Sequence, residues 1–370
     1  MKILFVAGGT GGHINPAVAV ANEVRRLDPS SEILFVGTEG RMETRIVPNA
    51  GFEIKTVKMN GFSRKMSISG IIENIKTVLL TLKASSDSKK ILNEFKPDVV
   101  VGFGGYVTGP VLNTAVKMGI KTAIHEQNAF PGVANKALAK KVDKVMLTSP
   151  QAEKYMSCKN PPVVTGLPVR REIIKADKDF ARASLGVKNN EMLVLSMGGS
   201  LGADAINNAI VEMISILKDE ENIRFLHATG KFGPWVGDKL TEKGVAYGEN
   251  TNIEIREYIN DMEICLPACD LVISRAGASS LSEIQALGKP SILIPSPNVA
   301  ENHQFHNAMA LVENDGAILV EEKDLDGKIL AEKVLELKND KAKLNNISLN
   351  ASKDAKINAL SEICRIITNL

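Results

Sequence analysis

The chain is short of the residues that make disulfide frameworks and base-stacking surfaces. Its 370 residues include four cysteines, Cys158, Cys265, Cys269 and Cys364, with no Cys-x-x-Cys pair. A disulfide scaffold is not expected at this length, and no second pair of soft ligands is present for zinc, so the thiols read as reduced and structural. There are one Trp, four Tyr and 11 Phe, and no stacking motif interleaves the basic residues, which argues against a stacking platform for nucleic acid. No uninterrupted apolar run reaches the roughly 18 residues that a membrane-spanning helix needs. The opening MKILFVAGGTGGH sets one Lys before a short apolar run that breaks into glycines, so it reads as a buried strand and not a signal peptide. The expected compartment is the cytoplasm or a surface facing it. The Gly-Lys-Ser/Thr ending of a P-loop is absent, which argues against ATP or GTP hydrolysis.

What is present is an ordinary soluble composition, 44% hydrophobic and 24% charged, with 29 glycines, several of them clustered. That excludes disordered, collagen-like and coiled-coil chains, and the length suggests two domains. The net charge of +2 hides an asymmetry. Residues 1–167 carry 22 Lys and Arg against 13 Asp and Glu, whereas residues 168–370 carry 23 against 30. Either only the first half meets an extended anionic surface, or solvated charges have segregated by chance.

Short β-branched runs alternate with helical spacing. KILFVA, EILFVG, DVVVGFG, KTAIHEQ, KVMLTS and PVVTG come first, and MLVLSMGG, IRFLHATG, IEIREYI, DLVISRAG and PSILIPS follow after residue 190. This pattern predicts an α/β chain with two doubly wound parallel sheets, the boundary lying near Thr165-Gly166-Leu167-Pro168. The segment from about Asn345 to Leu370 reads as a terminal helix, packing on its own domain or crossing back to the first. Each half opens with a strand, a glycine-rich turn and a helix, LFVAGGTGGHINPAVAVA and LVLSMGGSLGADAINNAI, and a third such turn is VVVGFGGYVTGPVLNTA. Turns of this kind aim backbone N–H groups and a helix dipole at whatever docks on the sheet's C-terminal edge, so the expected site is an interdomain cleft.

The first turn does not complete a dinucleotide fingerprint, because Ile14 stands where its last glycine belongs. His13 opens the following helix, which Pro16 helps to start, and is either a capping residue or a neutral imidazole able to take a proton. His125-Glu126-Gln127-Asn128, at a strand end, would be costly to bury unless it meets a ligand. Ser274 to Glu283 joins a small-residue helix start to a carboxylate suited to the vicinal hydroxyls of a ribose. His303 and His306 have metal-ligand spacing, but no carboxylate-rich partner is evident.

Taken in order, GGTGGHINPAVAVA, GFGGYVTGPV, HEQNAFPGVANK, GGSLGADAIN, SRAGASSLSEIQALGKP and NHQFHNA resemble the MurG family of glycosyltransferases, family 28, over nearly the whole chain. The resemblance implies the GT-B fold, two Rossmann-like domains facing a cleft. Residues 1–167 would face the acceptor and the membrane, residues 168–345 would bind UDP-GlcNAc, and 346–370 would form the terminal helix. It implies transfer of GlcNAc, with inversion, from UDP-GlcNAc to the C4 hydroxyl of MurNAc in undecaprenyl-pyrophosphoryl-MurNAc-pentapeptide. That is the step from lipid I to lipid II in peptidoglycan synthesis, on which cell shape and division depend. Carried over by position, Thr10, Gly11 and Gly12 face donor and acceptor, Asn128 the sugar, and Arg170 and Ser200 the donor phosphates. The backbone of Ile259 holds uracil; Ala278, Ser279, Ser280, Leu281 and Ser282 form the nucleotide-binding helix start; Glu283 meets the ribose and Gln304 the GlcNAc hydroxyls. Three departures from the family pattern are Leu167 for Asn, Leu201 for Gln and His303 for Gln.

On this reading His13 is the base, Glu126 its rival and His125 a distant third. Donors at a helix start over Gly198–Gly202, with Arg170, offset the charge on the leaving diphosphate. No metal and no cofactor is expected. The expected partners are the donor, the lipid acceptor, an anionic membrane surface and other cell-wall-synthesis proteins, and the placement is peripheral, on the cytoplasmic side of the cell membrane. Residues 61–95 carry Ile71, Ile72, Ile75, Val78, Leu79 and Leu82 at helical spacing, with Arg64, Lys65, Lys76, Lys83, Lys89 and Lys90 beside them and Lys140 and Lys141 as candidates nearby. This is either a membrane patch or the core face of a helix. The rival functions are a UDP-GlcNAc 2-epimerase and a nucleotide-sugar-binding module without catalysis.

Overall fold

The computed structural model describes residues 1–60 and 68–370, with backbone alone over 68–76. The chain forms two compact units, one of Met1–Pro168 with Lys356–Leu370 and one of Val169–Ala355.

In the first unit the strands are β1 (Lys2–Val6), β2 (Glu32–Thr38), β3 (Glu53–Val57), β4 (Val99–Gly102), β5 (Lys121–Glu126), β6 (Lys144–Leu147) and β7 (Val163–Val164). Between them run α1 (Gly11–Leu27), α2 (Glu43–Asn49), α3 (Ile68–Phe95), α4 (Thr108–Lys117) and α5 (Val133–Ala139). The sheet order is β3-β2-β1-β4-β5-β6-β7, and every pairing is parallel. Alternation along each strand divides the core into two layers. Ile3, Phe5, Val99 and Val101 pack on one face with Ile14, Ala17 and Val20 of α1. Leu4, Val6 and Val100 pack on the other with Ala84, Leu92, Val111 and Leu138. Both faces are covered, which is why these strands read as continuous apolar runs.

The second unit repeats the plan with β8 (Met192–Met197), β9 (Ile223–Ala228), β10 (Ile253–Arg256), β11 (Leu271–Ser274), β12 (Ser291–Leu293) and β13 (Ile318–Leu319). Its helices are α6 (Arg171–Ile174), α7 (Lys178–Ser184), α8 (Asp204–Leu217), α9 (Val236–Glu242), α10 (Met262–Ala268), α11 (Ala278–Ala286), α12 (His303–Val312), α13 (Gly327–Asn339) and α14 (Lys341–Ser352). The order β10-β9-β8-β11-β12-β13 is the same double winding. In each sheet the winding reverses beside the first strand, between β1 and β4 and between β8 and β11, so the loops leaving those strands diverge there.

Two strands carry little sequence signal. β3 and β13 are edge strands, paired on one side, and neither makes a continuous buried run. The terminal segment differs from the single helix expected over 346–370. It is split between α14, which packs on α11 and α13, and α15 (Ala359–Thr368), which packs on α1. Ala355 and Ala359 close tight turns onto Ser352 and Lys356, so the chain breaks there. Ile363, Cys364 and Ile367 are then buried in the first unit's core.

Each sheet holds one histidine at the floor of its loops. The His125 ring lies along Phe103, their centroids 5.4 Å apart, and its Nε2–H donates to the Gly166 carbonyl at 2.9 Å. His227 Nε2–H donates to Asn207 Oδ1 at 3.2 Å, and the Ser196 hydroxyl donates to Nδ1 at 2.9 Å. Complete burial pushes both pKa values down to about 4, against an ordinary 6.5. The unfolded chain therefore binds more protons between pH 6.5 and 4. Stability from this source is full above that window and is lost as pH falls through it, by about 3 kcal/mol per histidine once both states are protonated. Urea unfolding at a series of pH values will show this fall, and His125→Asn, although less stable at pH 7, will lose one proton from the slope.

Candidate functional site

The loop Ala7–Thr10 leaves β1 and enters α1. Gly9 takes φ of +86°, and Thr10 is the extended N-cap residue. The N–H groups of Gly11 and Gly12 belong to the first helical turn, where no carbonyl of the helix can reach them. His13 sits on the same turn, half-buried, and its Nδ1 lies 3.0 Å from the Gly8 carbonyl oxygen. A carbonyl only accepts, so Nδ1 carries the proton and Nε2 is the basic nitrogen of the neutral ring. The Thr10 hydroxyl lies 3.3 Å from the same Nδ1. Pro16 does not begin the helix as expected. It is the sixth residue, and with no N–H it cannot bond the Gly12 carbonyl.

The loop after β4 closes against this turn. Gly8 N–H donates to the Gly104 carbonyl at 3.2 Å. A Cβ on Gly105 would lie 2.4 Å from the Gly8 oxygen, and one on Gly104 would lie 2.7 Å from His13 Cδ2; both glycines have positive φ. Only glycine permits this approach. Thr10, Gly11, Gly12 and His13 are thus gathered at the first sheet's switch point.

The polar quartet after β5 behaves differently from its expectation. The Glu126 carboxylate is buried and accepts four hydrogen bonds, three from the loop that follows it and one from α5. Oε1 takes Asn128 N–H at 3.0 Å and Asn128 Nδ2 at 3.3 Å; Oε2 takes Gly132 N–H at 3.1 Å and Asn135 Nδ2 at 2.8 Å. Both oxygens are committed, which makes Glu126 a brace for the loop that presents Asn128. His125 is fully buried, and its protonation is suppressed well below neutral pH.

In the second unit, Ser200 and Leu201 are exposed on the loop after β8. The helix they were expected to start begins later, at Asp204 with Ala203 as N-cap, so Ser200 belongs to the glycine loop itself. That loop is pinned by the next. Lys231 N–H donates to the Ser200 carbonyl at 3.2 Å and Phe232 N–H to the Leu201 carbonyl at 3.0 Å. A Cβ on Gly230 would fall 2.0 Å from Gly202 N. Asn207 supports the loop after β9 from below, its Nδ2 donating to the Thr229 carbonyl at 2.9 Å.

Gly277 is the N-cap of α11, with Ala278, Ser279 and Ser280 accessible on its first turn. Leu281 and Ser282 turn inward: Leu281 joins the core, and the Ser282 hydroxyl donates to the Ala278 carbonyl at 2.9 Å. Their side chains are structural. Glu283 accepts from Arg170 Nε at 3.0 Å. Burial raises the Glu283 pKa and the Arg170 charge opposes that shift. Ile259 has its side chain in the core, which suits a contact made by its backbone. Gln304, on α12, accepts Ser296 N–H through Oε1 at 2.9 Å, which orders the loop after β12. His303 donates from Nδ1 to the Ala300 carbonyl at 2.8 Å, and among the described residues no three His, Cys, Asp or Glu side chains form a metal-holding group.

Two features were not legible. Glu301 and Asn302 both take left-handed φ, of 53° and 50°, just before α12, a local strain with no glycine to announce it. Glu43, the first residue of α2, is completely buried against the first loop.

On α3 the inward face is Thr77, Ala84, Ser88 and Leu92, whereas Val78, Leu79 and Leu82 are 49%, 62% and 65% exposed. The apolar stripe over 78–82 is therefore not the core face. Lys83, Lys89, Lys90, Lys140 and Lys141 are exposed as well. Arg64 and Lys65, and the side chains of Ile71, Ile72, Ile75 and Lys76, lie outside the described residues. No helix among the described residues is long and apolar enough to cross a membrane.

The sequence matches the glycosyltransferase family 28 N-terminal domain over residues 3–147 and the family's C-terminal domain over 193–363. An Acetivibrio thermocellus protein named UDP-N-acetylglucosamine–N-acetylmuramyl-(pentapeptide) pyrophosphoryl-undecaprenol N-acetylglucosamine transferase is 42% identical over 370 residues, covering 100% of this chain and 98% of its own. The crystal structure of Acinetobacter baumannii MurG superposes with a TM-score of 0.82 at 26% identity, over 100% of this chain and 99% of that one. A Neisseria meningitidis UDP-GlcNAc 2-epimerase, 16% identical and matching over the full length of both chains at a TM-score of 0.67, shares the fold alone. With both domain models matched in order and a relative of this identity along its whole length, the chain belongs to glycosyltransferase family 28, with the two Rossmann-like domains of the GT-B fold.

Proposed function

We propose that the chain transfers GlcNAc from UDP-GlcNAc to the C4 hydroxyl of MurNAc in undecaprenyl-pyrophosphoryl-MurNAc-pentapeptide, with inversion, and that His13 is the general base. The observation that carries the mechanism is the Nδ1–H bond of His13 to the Gly8 carbonyl at 3.0 Å, which leaves Nε2 as the proton acceptor at a helix N-terminus. Nε2 takes the hydroxyl proton as the acceptor oxygen forms its bond to C1 of GlcNAc. The bond from C1 to the diphosphate oxygen breaks on the opposite face, and its electron pair leaves with UDP. This gives a β-1,4 linkage.

The second unit supplies the nucleotide groups. The first turn of α11 offers N–H donors, and Ser200 stands on an exposed glycine loop. Arg170 and Glu283 are paired at 3.0 Å; when nucleotide binds, the guanidinium turns to the diphosphate and the carboxylate to the ribose hydroxyls. Charge-assisted bonds to a leaving phosphate strengthen as its charge develops. Asn128 meets the sugar, and Gln304 contacts the GlcNAc hydroxyls. With an acceptor anchored in lipid, the exposed Val78, Leu79 and Leu82 beside exposed lysines fit a peripheral contact with the anionic cytoplasmic leaflet, worth about 1 kcal/mol per basic residue near the surface. Other cell-wall-synthesis proteins are the partners that such a placement brings within reach.

The test of the reaction is mass-resolved product from UDP-GlcNAc and a short-chain lipid I analogue: one added GlcNAc with UDP released supports it, and free sugar or ManNAc overturns it. His13→Ala will lower kcat at saturating acceptor by about 10²–10⁴-fold and leave UDP affinity unchanged; near wild-type turnover would reduce His13 to a structural residue. In vesicle sedimentation, Leu79→Glu with Leu82→Glu will abolish binding to anionic liposomes at low salt while activity on a soluble acceptor persists.

A further inference from the structure

Glu43 has no role in the chemistry above, yet it is a carboxylate with no exposed surface. Its Oε1 accepts Thr38 N–H at 2.9 Å, at the end of β2, and its Oε2 accepts Gly9 N–H at 3.2 Å, in the loop leaving β1. Two glycines make room for it. A Cβ on Gly8 would lie 2.6 Å from Glu43 Oε1, and one on Gly37 would lie 2.6 Å from Glu43 Cγ. A buried carboxylate is costly unless its oxygens are satisfied, and here two backbone amides from different strand ends satisfy it.

We propose that Glu43 is a positioning residue for His13. The bond it holds at Gly9 N–H fixes the Gly8–Gly9 peptide, and the oxygen of that same peptide is the acceptor for His13 Nδ1–H. Two hydrogen bonds on opposite sides of one peptide plane therefore connect the buried carboxylate to the tautomer of the imidazole. Releasing Gly9 N–H lets the plane rotate. The Gly8 oxygen then leaves Nδ1, and the ring distributes its proton over both nitrogens. The pinned peptide cannot be replaced by side-chain packing, because residues 8 and 9 have none. This role rests on His13 being the base only for its effect on rate; the link between carboxylate and tautomer stands apart from that reading.

The experiment uses the full chain, with ¹⁵N-labelled imidazoles, which number five in the sequence. In the wild type the His13 signals report a single Nδ1–H tautomer. In Glu43→Gln, close in shape but presenting an NH₂ group to one of the two amides, they report a mixture. The kcat at saturating acceptor falls at least about ten-fold, as expected for lost orientation, while UDP affinity is unchanged. A wild-type tautomer with wild-type kcat overturns the proposal. If Glu43→Gln does not fold, Gly37→Ala keeps the charge and displaces the carboxylate from behind. The same mixture and the same loss in kcat support the proposal, and an undisturbed tautomer in that folded variant overturns it. Should His13→Ala retain turnover, the base assignment fails while the tautomer measurement still decides the role of Glu43.

Discussion

The placement of His13 depends on one steric constraint: the outgoing backbones of β1 and β4 pass so close that only hydrogen fits between them. Gly105 lies against the Gly8 carbonyl, and Gly104 lies under the His13 ring. Parallel neighbours end side by side, so the chains leaving them compete for the same space. Glycine resolves the competition and leaves a carbonyl oxygen fixed beneath an imidazole. The second unit meets the same constraint on the other side of its central strand, where the β9 loop crosses the β8 loop at Gly230 and Gly202.

Beneath both sets of loops lie polar side chains that are buried and hydrogen-bonded. Glu126 braces the loop to Asn128, and Asn207 with His227 braces the loop after β9, whose backbone in turn pins the glycine loop after β8. Such networks add little net stability, since each bond replaces one to water. What they supply is geometry, because an unsatisfied member is expensive and few arrangements satisfy them all. Asn128 and Ser200 are thereby presented on braced loops.

The double winding was legible because strands buried on both faces are continuous apolar runs, as in KILFV and MLVLSM. β3 and β13 were not, since an edge strand such as EIKTV alternates with solvent and resembles a loop. The glycine turns announced where backbone meets backbone, and the order of motifs identified the residues on them. Roles were harder to read. Glu126 ends β5 and His13 sits on the first turn of α1, both polar residues in a motif, and only the four donors around Glu126 mark it as a brace. Leu281 and Ser282 fell within a motif whose outward residues were read correctly as a helix start, but helical geometry turns those two to the core. Glu43 gave no signal, because its importance comes from two amides and two glycines distant in sequence.

The placement of α15 bears on the order in which the molecule is made. Its residues Ile363, Cys364 and Ile367 fill the first unit's core beside α1, yet they follow the whole of the second unit along the chain. A ribosome therefore delivers every residue of the second unit before the last piece of the first. Throughout that interval the surface of α1 around Val20 stands without its covering helix, and the earlier-born half is the one completed later.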